Sequence, residues 1–196
     1  AWFDKRRTGC IYEVSANQII FLDVEVAFWQ VWEICLLDEQ GEVLYQSFVK
    51  PGGDLERRQK TTIENKGIAL SNVMTAPEWH QIEIFVERMV KNKTVVSWNI
   101  DHEIKFFSSN LQNCAQLKCA MKRFSPWFSK REFKNFSDKS NGEYRFVSLE
   151  DAAKDLKISR LKGKGFHRAY TDAEIMRKIW LIMDDYDRKK SNPLND

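Results

Sequence analysis

Two carboxylates separated by one residue end an apolar stretch of the sequence. Asp23 and Glu25 lie in residues 17 to 26, which are rich in β-branched and apolar side chains and predict a core strand. Alternate residues of a strand point to the same face of its sheet, so both carboxylates share a face. Such a pair is costly unless a cation lies between its members, and Mg²⁺ prefers oxygen ligands. The pattern predicts a divalent-metal site.

The spacing alone does not distinguish this pair from others. Asp185 and Asp187 have the same separation, and 28 acidic residues in a chain of 196 make such pairs common by chance. What sets Asp23 and Glu25 apart is that they end a predicted core strand. Their context, more than their spacing, favours a functional role.

Three further titratable residues lie at the ends of predicted elements. Asp101 follows a predicted strand over residues 94 to 98, where an acid at a helix N-terminus needs no function. His167 and Asp172 flank the start of the last predicted helix, where polar side chains are expected at the surface. Each residue, taken singly, is compatible with a purely structural role.

Taken together, these residues resemble the motifs of the DEDDh family of 3′-to-5′ exonucleases. Phe21-Leu22-Asp23-Val24-Glu25 is similar to the first motif, Trp98-Asn99-Ile100-Asp101 to a Trp-x-x-Asp form of the second, and His167-x-x-x-x-Asp172 to the third. The sister subfamily has Tyr four residues before the last Asp, where this chain has Arg168, so the histidine class is favoured. Val26 departs from the Thr of many members and offers no hydroxyl to a substrate.

The resemblance implies a ribonuclease H-like fold and the release of nucleoside 5′-monophosphates, one at a time, from a free 3′ end. It implies two divalent ions, Mg²⁺ or Mn²⁺, which suit in-line displacement at phosphorus. The implied ligands are Asp23, Glu25, Asp101 and Asp172. His167 is the implied general base, because an imidazole titrates near neutrality.

Candidate substrate contacts lie beside these motifs. They are Val26, Phe28, Trp29, Trp98, Asn99, Lys164 and Arg168. A basic and aromatic segment over residues 118 to 145 adds a second candidate surface, since cations bind phosphates and aromatic faces stack on bases. Core packing explains the aromatic residues equally well.

The expected partners are single-stranded 3′ ends of RNA or DNA. The Trp-x-x-Asp motif is similar to that of the RNA-processing branch, which favours RNA. A DNA exonuclease of the proofreading or repair kind is the alternative within enzymes. A catalytically silent nucleic-acid-binding module is the alternative from another class. The sequence names no protein partner.

The elements that must position these residues predict an α/β fold, with a mixed sheet flanked by helices. Residues 17–26, 30–37 and 42–49 form an antiparallel meander of strands, with turn residues at 38–41. A further strand follows at 94–98. Helices are predicted at 77–90, 101–111, 148–156 and 170–186, and residues 116–146 as helix plus loop.

Composition limits the remaining possibilities. The 196 residues suit one exonuclease domain, residues 1–196, with an N-terminal extension (1–16) and a frayed tail (188–196). A net charge of +3 requires any nucleic-acid surface to come from local clustering. No apolar run approaches the roughly 18 residues of a membrane span, and no secretory signal is evident, so no membrane contact and an intracellular location are expected. The four cysteines are expected to be reduced.

Overall fold

The structure, a computed structural model, describes residues 18–107, 109–132, 147–159 and 168–191. Its strands are β1 (Ile19–Ala27), β2 (Gln30–Leu37), β3 (Val43–Phe48), β4 (Thr94–Ser97) and β5 (Gln116–Cys119). Its helices are α1 (Arg57–Asn65), α2 (Leu70–Met74), α3 (Trp79–Val90), α4 (Ile100–Phe107), α5 (Ala120–Glu132), α6 (Leu149–Asp155) and α7 (Ala169–Ser191).

The strands form one mixed sheet in the order β3-β2-β1-β4-β5. β1 pairs with β2 and β2 with β3 in antiparallel fashion, whereas β4 lies parallel to both β1 and β5. The predicted architecture of a meander followed by parallel strands is confirmed. β1 is the central strand, and its Asp23 and Glu25 lie beyond the residues that pair with β4, Ile19 to Phe21.

Helices cover both faces of the sheet. On one face, α7 packs against β1 and β2, and its buried residues join a core that includes Phe21 and Val96. On the other face, α3 contributes Ile82 and Val86 to a second core. β1 supplies both cores because alternate residues of a strand point to opposite faces.

Two helices and one strand were not predicted from the sequence. α1 buries only Ile63, and α2 buries only Val73, so neither shows the apolar periodicity of an amphipathic helix. β5 lies at the edge of the sheet, where three of its four residues are exposed, so it also lacks an apolar pattern in the sequence. α5 continues through Pro126, the residue that made segment 116–146 appear interrupted.

The helix ends follow local chemistry. Ser148 caps α6, its Oγ accepting from the backbone N–H of Asp151 at 3.0 Å. α7 ends at Ser191, beyond the predicted residue 186. Its last turns carry charged and exposed side chains, so no apolar periodicity marked them in the sequence.

Within the described ranges, no helix has the length and apolar character needed to cross a bilayer. The cysteines described there, Cys35, Cys114 and Cys119, are free thiols.

Candidate metal centre

Three acidic side chains meet where β1 passes the first turn of α7. Asp23, Glu25 and Asp172 each offer a carboxylate oxygen, and these oxygens all lie within 4.8 Å of one another. The three residues are buried, at 8%, 7% and 8% exposure. We call them the carboxylate cluster. The structure therefore brings together three of the residues that the sequence singled out, from opposite ends of the chain.

Strand geometry and helix packing position the carboxylate cluster. Asp23 and Glu25 lie two residues apart on β1 and face α7, as the alternation of a strand requires. The pairing of β1 with β2 shifts register between Glu25 and Val26, and such irregularities re-aim side chains near functional sites. Asp172 lies in the first turn of α7, where its N–H donates to the carbonyl of Arg168 at 3.0 Å.

The electrostatics of the carboxylate cluster call for a cation. Burial, followed by the charges of Asp172, Glu25 and Glu103, raises the pKa of the Asp23 carboxyl well above its ordinary value. Neighbouring carboxylates repel one another strongly where water cannot screen them. Hard divalent ions prefer carboxylate oxygen ligands, so the donor set fits Mg²⁺ or Mn²⁺.

Glu103 is a fourth buried acid, outside the carboxylate cluster, whose charge raises the pKa of Asp23, and it was not predicted from the sequence. It lies on the buried face of α4 with Ile100 and Phe107, and is 5% exposed. Burial raises the pKa of its carboxyl to about 7. Hydrogen bonds from the helix backbone and from Ser97 partly offset this rise. The i, i+3, i+7 spacing of Ile100, Glu103 and Phe107 was a signal that could have placed Glu103 on the inner face.

Asp101 lies apart from the carboxylate cluster. Its side chain is 58% exposed, and its Oδ2 lies 2.5 Å from the Nζ of Lys122. It stands in the first turn of α4, where an acid stabilises the helix N-terminus without any other role. The structure thus gives Asp101 a surface environment and gives the inner position to Glu103.

Two basic side chains lie beside the acids. The Nζ of Lys66 is 2.5 Å from the Oε2 of Glu25. Arg168 donates through Nε and Nη2 to the Glu33 carboxylate, at 2.9 and 3.1 Å, and the Ala169 N–H donates to the same carboxylate at 3.3 Å. Glu33 is 1% exposed and lies opposite Glu25 in the sheet. These contacts compensate two acids that would otherwise repel across β1 and β2.

The remaining predicted contacts have different environments. Trp98 is buried, and its Nε1 donates to the carbonyl of Val147 at 3.2 Å, so it packs in the core. Val26 and Asn99 are half-buried. His167 and Lys164 lie outside the described residues, so their sequence-based roles remain predictions.

Phe28 and Trp29 form the tip of the hairpin between β1 and β2. They are 41% and 83% exposed, and both adopt left-handed backbone conformations, with φ of 53° and 63°. The ring of Phe28 stacks on Trp32 with centroids 6.4 Å apart. Trp29 therefore presents most of its ring to solvent, close to the end of β1 that carries Glu25.

The basic and aromatic segment packs largely inward where the structure describes it. Phe124, Trp127 and Phe128 lie in the core. The guanidinium of Arg123 lies 4.3 Å from the ring centroid of Trp180 and also pairs with Asp184 and Asp187 on α7. The packing explanation applies to these residues. Phe133, Phe136 and Tyr144 lie outside the described residues.

Comparison with solved structures found similar folds, several of them in exonucleases. S. pombe Pop2p in its Mg²⁺- and Mn²⁺-bound form matches with a TM-score of 0.53 and 13% identity, over 85% of this chain and 82% of that chain. E. coli exonuclease I in complex with a dT13 oligonucleotide matches with a TM-score of 0.61 and 16% identity, over 87% of this chain and 43% of that chain.

A 3′-exonuclease that recognises the 3′ end of the histone mRNA stem-loop matches with a TM-score of 0.53 and 14% identity, over 86% of this chain and 81% of that chain. The chain has a ribonuclease H-like fold. The predicted fold class is thereby confirmed. The chain spans less than half of the exonuclease I chain. No protein-family model and no curated protein matches the sequence.

Proposed function

We propose that the chain is a metal-dependent 3′-to-5′ exonuclease that releases nucleoside 5′-monophosphates from single-stranded nucleic acid. The observation that carries the proposal is the carboxylate cluster, because acids from β1 and α7 are buried together at a cost that a bound cation would offset. The fold similarity to exonucleases supports the same reaction class.

Asp23, Glu25 and Asp172 are the proposed metal ligands, with Glu103 as the fourth acid. Glu103 is preferred to Asp101 because it is buried and its charge raises the pKa of Asp23, whereas Asp101 is exposed and paired with Lys122. When bound, Mg²⁺ or Mn²⁺ lowers the pKa of water and neutralises charge on a phosphate. The proposed number of ions, two, rests on the family resemblance.

His167 is the proposed general base that accepts the proton of the attacking water. Its sequence position supports this role, because it stands one residue before Arg168, which is anchored to Glu33, and two before the start of α7. Five residues further on, Asp172 faces the carboxylate cluster. The chemistry requires a base that is neutral near the working pH, as an imidazole is.

The proposed substrate is the 3′ end of a single strand, RNA or DNA. An exposed aromatic ring beside the site, that of Trp29, suits a terminal base, because every base has a face that can stack. The Trp-x-x-Asp motif that favoured RNA includes Asp101, which is exposed and paired with Lys122, so it gives RNA little support. RNA and DNA are therefore the two arms of the test.

The test is digestion of matched RNA and DNA oligonucleotides labelled at the 5′ end, with Mg²⁺ or Mn²⁺ present. A ladder that shortens from the 3′ end, and that a 3′-phosphate block prevents, is expected. Asp23→Asn should abolish the ladder, while Asp185→Asn, an exposed acid on α7, serves as the matched control. Internal cuts would refute the reaction class. A folded chain that binds the oligonucleotide without digesting it would favour the silent binding module.

A further inference from the structure

Lys66 is held against the carboxylate cluster by the end of α1. Its N–H donates to the carbonyl of Ile63 at 3.1 Å, and Gly67 follows in a left-handed conformation with φ of 70°. This glycine turn ends the helix and leaves the Lys66 side chain beside Glu25, with Nζ 2.5 Å from Oε2. The position of Lys66 is therefore fixed by its helix, while its four-carbon side chain keeps its own freedom.

The ammonium of Lys66 and the proposed metal site share one carboxylate, that of Glu25. The carboxylate cluster offers one oxygen from each of its three acids for a metal, and one acid, Glu25, is also the partner of Lys66. Two cations on one carboxylate repel each other, and they do so more strongly where water is excluded. Lys66 and a divalent ion must therefore compete for Glu25.

Displaced Lys66 would remain close to the site. Its side chain is 22% exposed, so it has a path to solvent, and a lysine stem is flexible. A compact ammonium binds phosphate oxygens well. Arg168, the other basic residue described beside the site, is already engaged with Glu33 through two hydrogen bonds, which leaves Lys66 better able to exchange partners.

We propose that Lys66 exchanges partners during binding: its ammonium holds Glu25 before a divalent ion binds, and contacts a non-bridging oxygen of the substrate phosphate afterwards. The proposal rests on the proposed exonuclease function and adds a residue that the sequence motifs do not include. It assigns Lys66 two measurable effects of opposite sign, one on metal affinity and one on substrate affinity.

The experiment uses the full chain with Lys66→Met, Lys66→Arg and the control Lys60→Met, which removes an exposed lysine from the same helix. Calorimetric titration with Mn²⁺ alone measures metal affinity. We expect the dissociation constant of Lys66→Met to fall about fivefold, and that of Lys60→Met to stay unchanged. KM for a single-stranded oligonucleotide at saturating Mn²⁺ should rise about tenfold in Lys66→Met and less in Lys66→Arg, which keeps the charge.

The outcomes separate this inference from the proposed function. If the unsubstituted chain binds no Mn²⁺, the proposed function fails. If it binds Mn²⁺ and Lys66→Met binds it equally or more weakly, competition for Glu25 is overturned while the metal site stands. If Mn²⁺ affinity rises but KM is unchanged, the phosphate contact is overturned. Thermal melting of each variant without metal checks that the chain is folded, and Lys66→Gln repeats the test should Lys66→Met be unstable.

Discussion

Asp101 and Glu103 stand two residues apart on α4, in opposite environments. Residues at i and i+2 of a helix point in different directions, so only one of the two acids can face the sheet. Glu103 does, at 5% exposure, whereas the Asp101 side chain is 58% exposed and pairs with Lys122. The rotation of one helix thus decides which acid contributes to the site.

Replacing each of these acids by its amide tests which of the two contributes to the metal site. Glu103→Gln should lower both Mn²⁺ affinity and the rate of 3′-end digestion by about 10-fold to 100-fold, since groups that support a metal site have effects of that size. Asp101→Asn should keep the rate within about twofold, because an exposed ion pair contributes little. Steady-state digestion and Mn²⁺ titration measure both. If Asp101→Asn were inactive and Glu103→Gln active, Asp101 would be the fourth acid of the metal site and Glu103 would not.

Glu103 also makes the stability of the metal-free chain depend on pH. The pKa of its carboxyl is raised from 4.5 to about 7 by burial, so the native state holds this proton more tightly than the unfolded state. The resulting stabilisation is complete below pH 4.5 and is lost as the pH rises through about 7. The loss is on the order of 3 kcal/mol.

Urea unfolding in the presence of a chelator measures this change across that pH range. Asp23 should add to it, because the pKa of its carboxyl is also raised. Glu103→Gln should flatten the dependence relative to the unsubstituted chain, whereas Glu64→Gln, at an exposed position of α1, should not. Identical pH profiles for all three proteins would contradict the burial of a protonated Glu103.

The hairpin between β1 and β2 is an element under local strain. Two-residue hairpin turns with both residues left-handed are usually built from Asn and Gly, yet Phe28 and Trp29 hold these positions. Each left-handed residue with a side chain costs about 1–2 kcal/mol. Phe28 recovers part of this by stacking on Trp32, whereas Trp29 is 83% exposed and recovers little through burial. Such strain often marks functional positions.

Trp29→Gly should therefore increase stability and weaken substrate binding. Relief of the left-handed strain should raise the free energy of unfolding by about 1 kcal/mol, which thermal melting detects. Loss of a stacking ring should raise KM for a single strand by about fivefold or more. Trp29→Phe keeps a ring and serves as the control. An unchanged KM in Trp29→Gly would remove Trp29 from the proposed substrate contacts.

An ion pair between the buried Glu33 and the partly exposed Arg168 connects β2 to the start of α7. Arg168→Met would leave the carboxylate of Glu33, 1% exposed, without its guanidinium partner, and breaking such a pair costs about 3 kcal/mol. Glu33→Gln combined with Arg168→Met should recover part of that loss, because no buried charge remains. Chemical unfolding of both variants measures the difference. If the single and the double variant were equally stable, the Glu33 carboxylate would not depend on Arg168 for its stability in the fold.

At the scale of the whole molecule, the sequence predicted the elements that feed the core. The bounds of β2 were predicted as observed, because its apolar residues end at the Asp38–Gly41 turn. α1 was not predicted, because it contributes only Ile63 to the core and otherwise carries polar side chains. Elements with little burial leave no periodic signal, and only tertiary packing decides their structure.

The same distinction applies to the site. Asp23 and Glu25 could be predicted because a strand's alternation is a local property. Asp172 required the family resemblance, since 147 residues separate it from Glu25. Glu103 was missed because an acid is rarely buried in a core, although its spacing from Ile100 and Phe107 marks the inner face of α4. The role of His167 stays a prediction.

The burial of Asp23, Glu25 and Asp172 together also has a kinetic consequence. A phosphodiester that arrives before any divalent ion meets three acids offset by the single ammonium of Lys66, and the remaining negative charge slows encounter and favours departure. An ion that arrives first offsets that charge. Binding should therefore be sequential, with the ion as the leading ligand and the nucleic acid as the following one. The association rate of a single strand should then rise with the fraction of chains that already hold an ion.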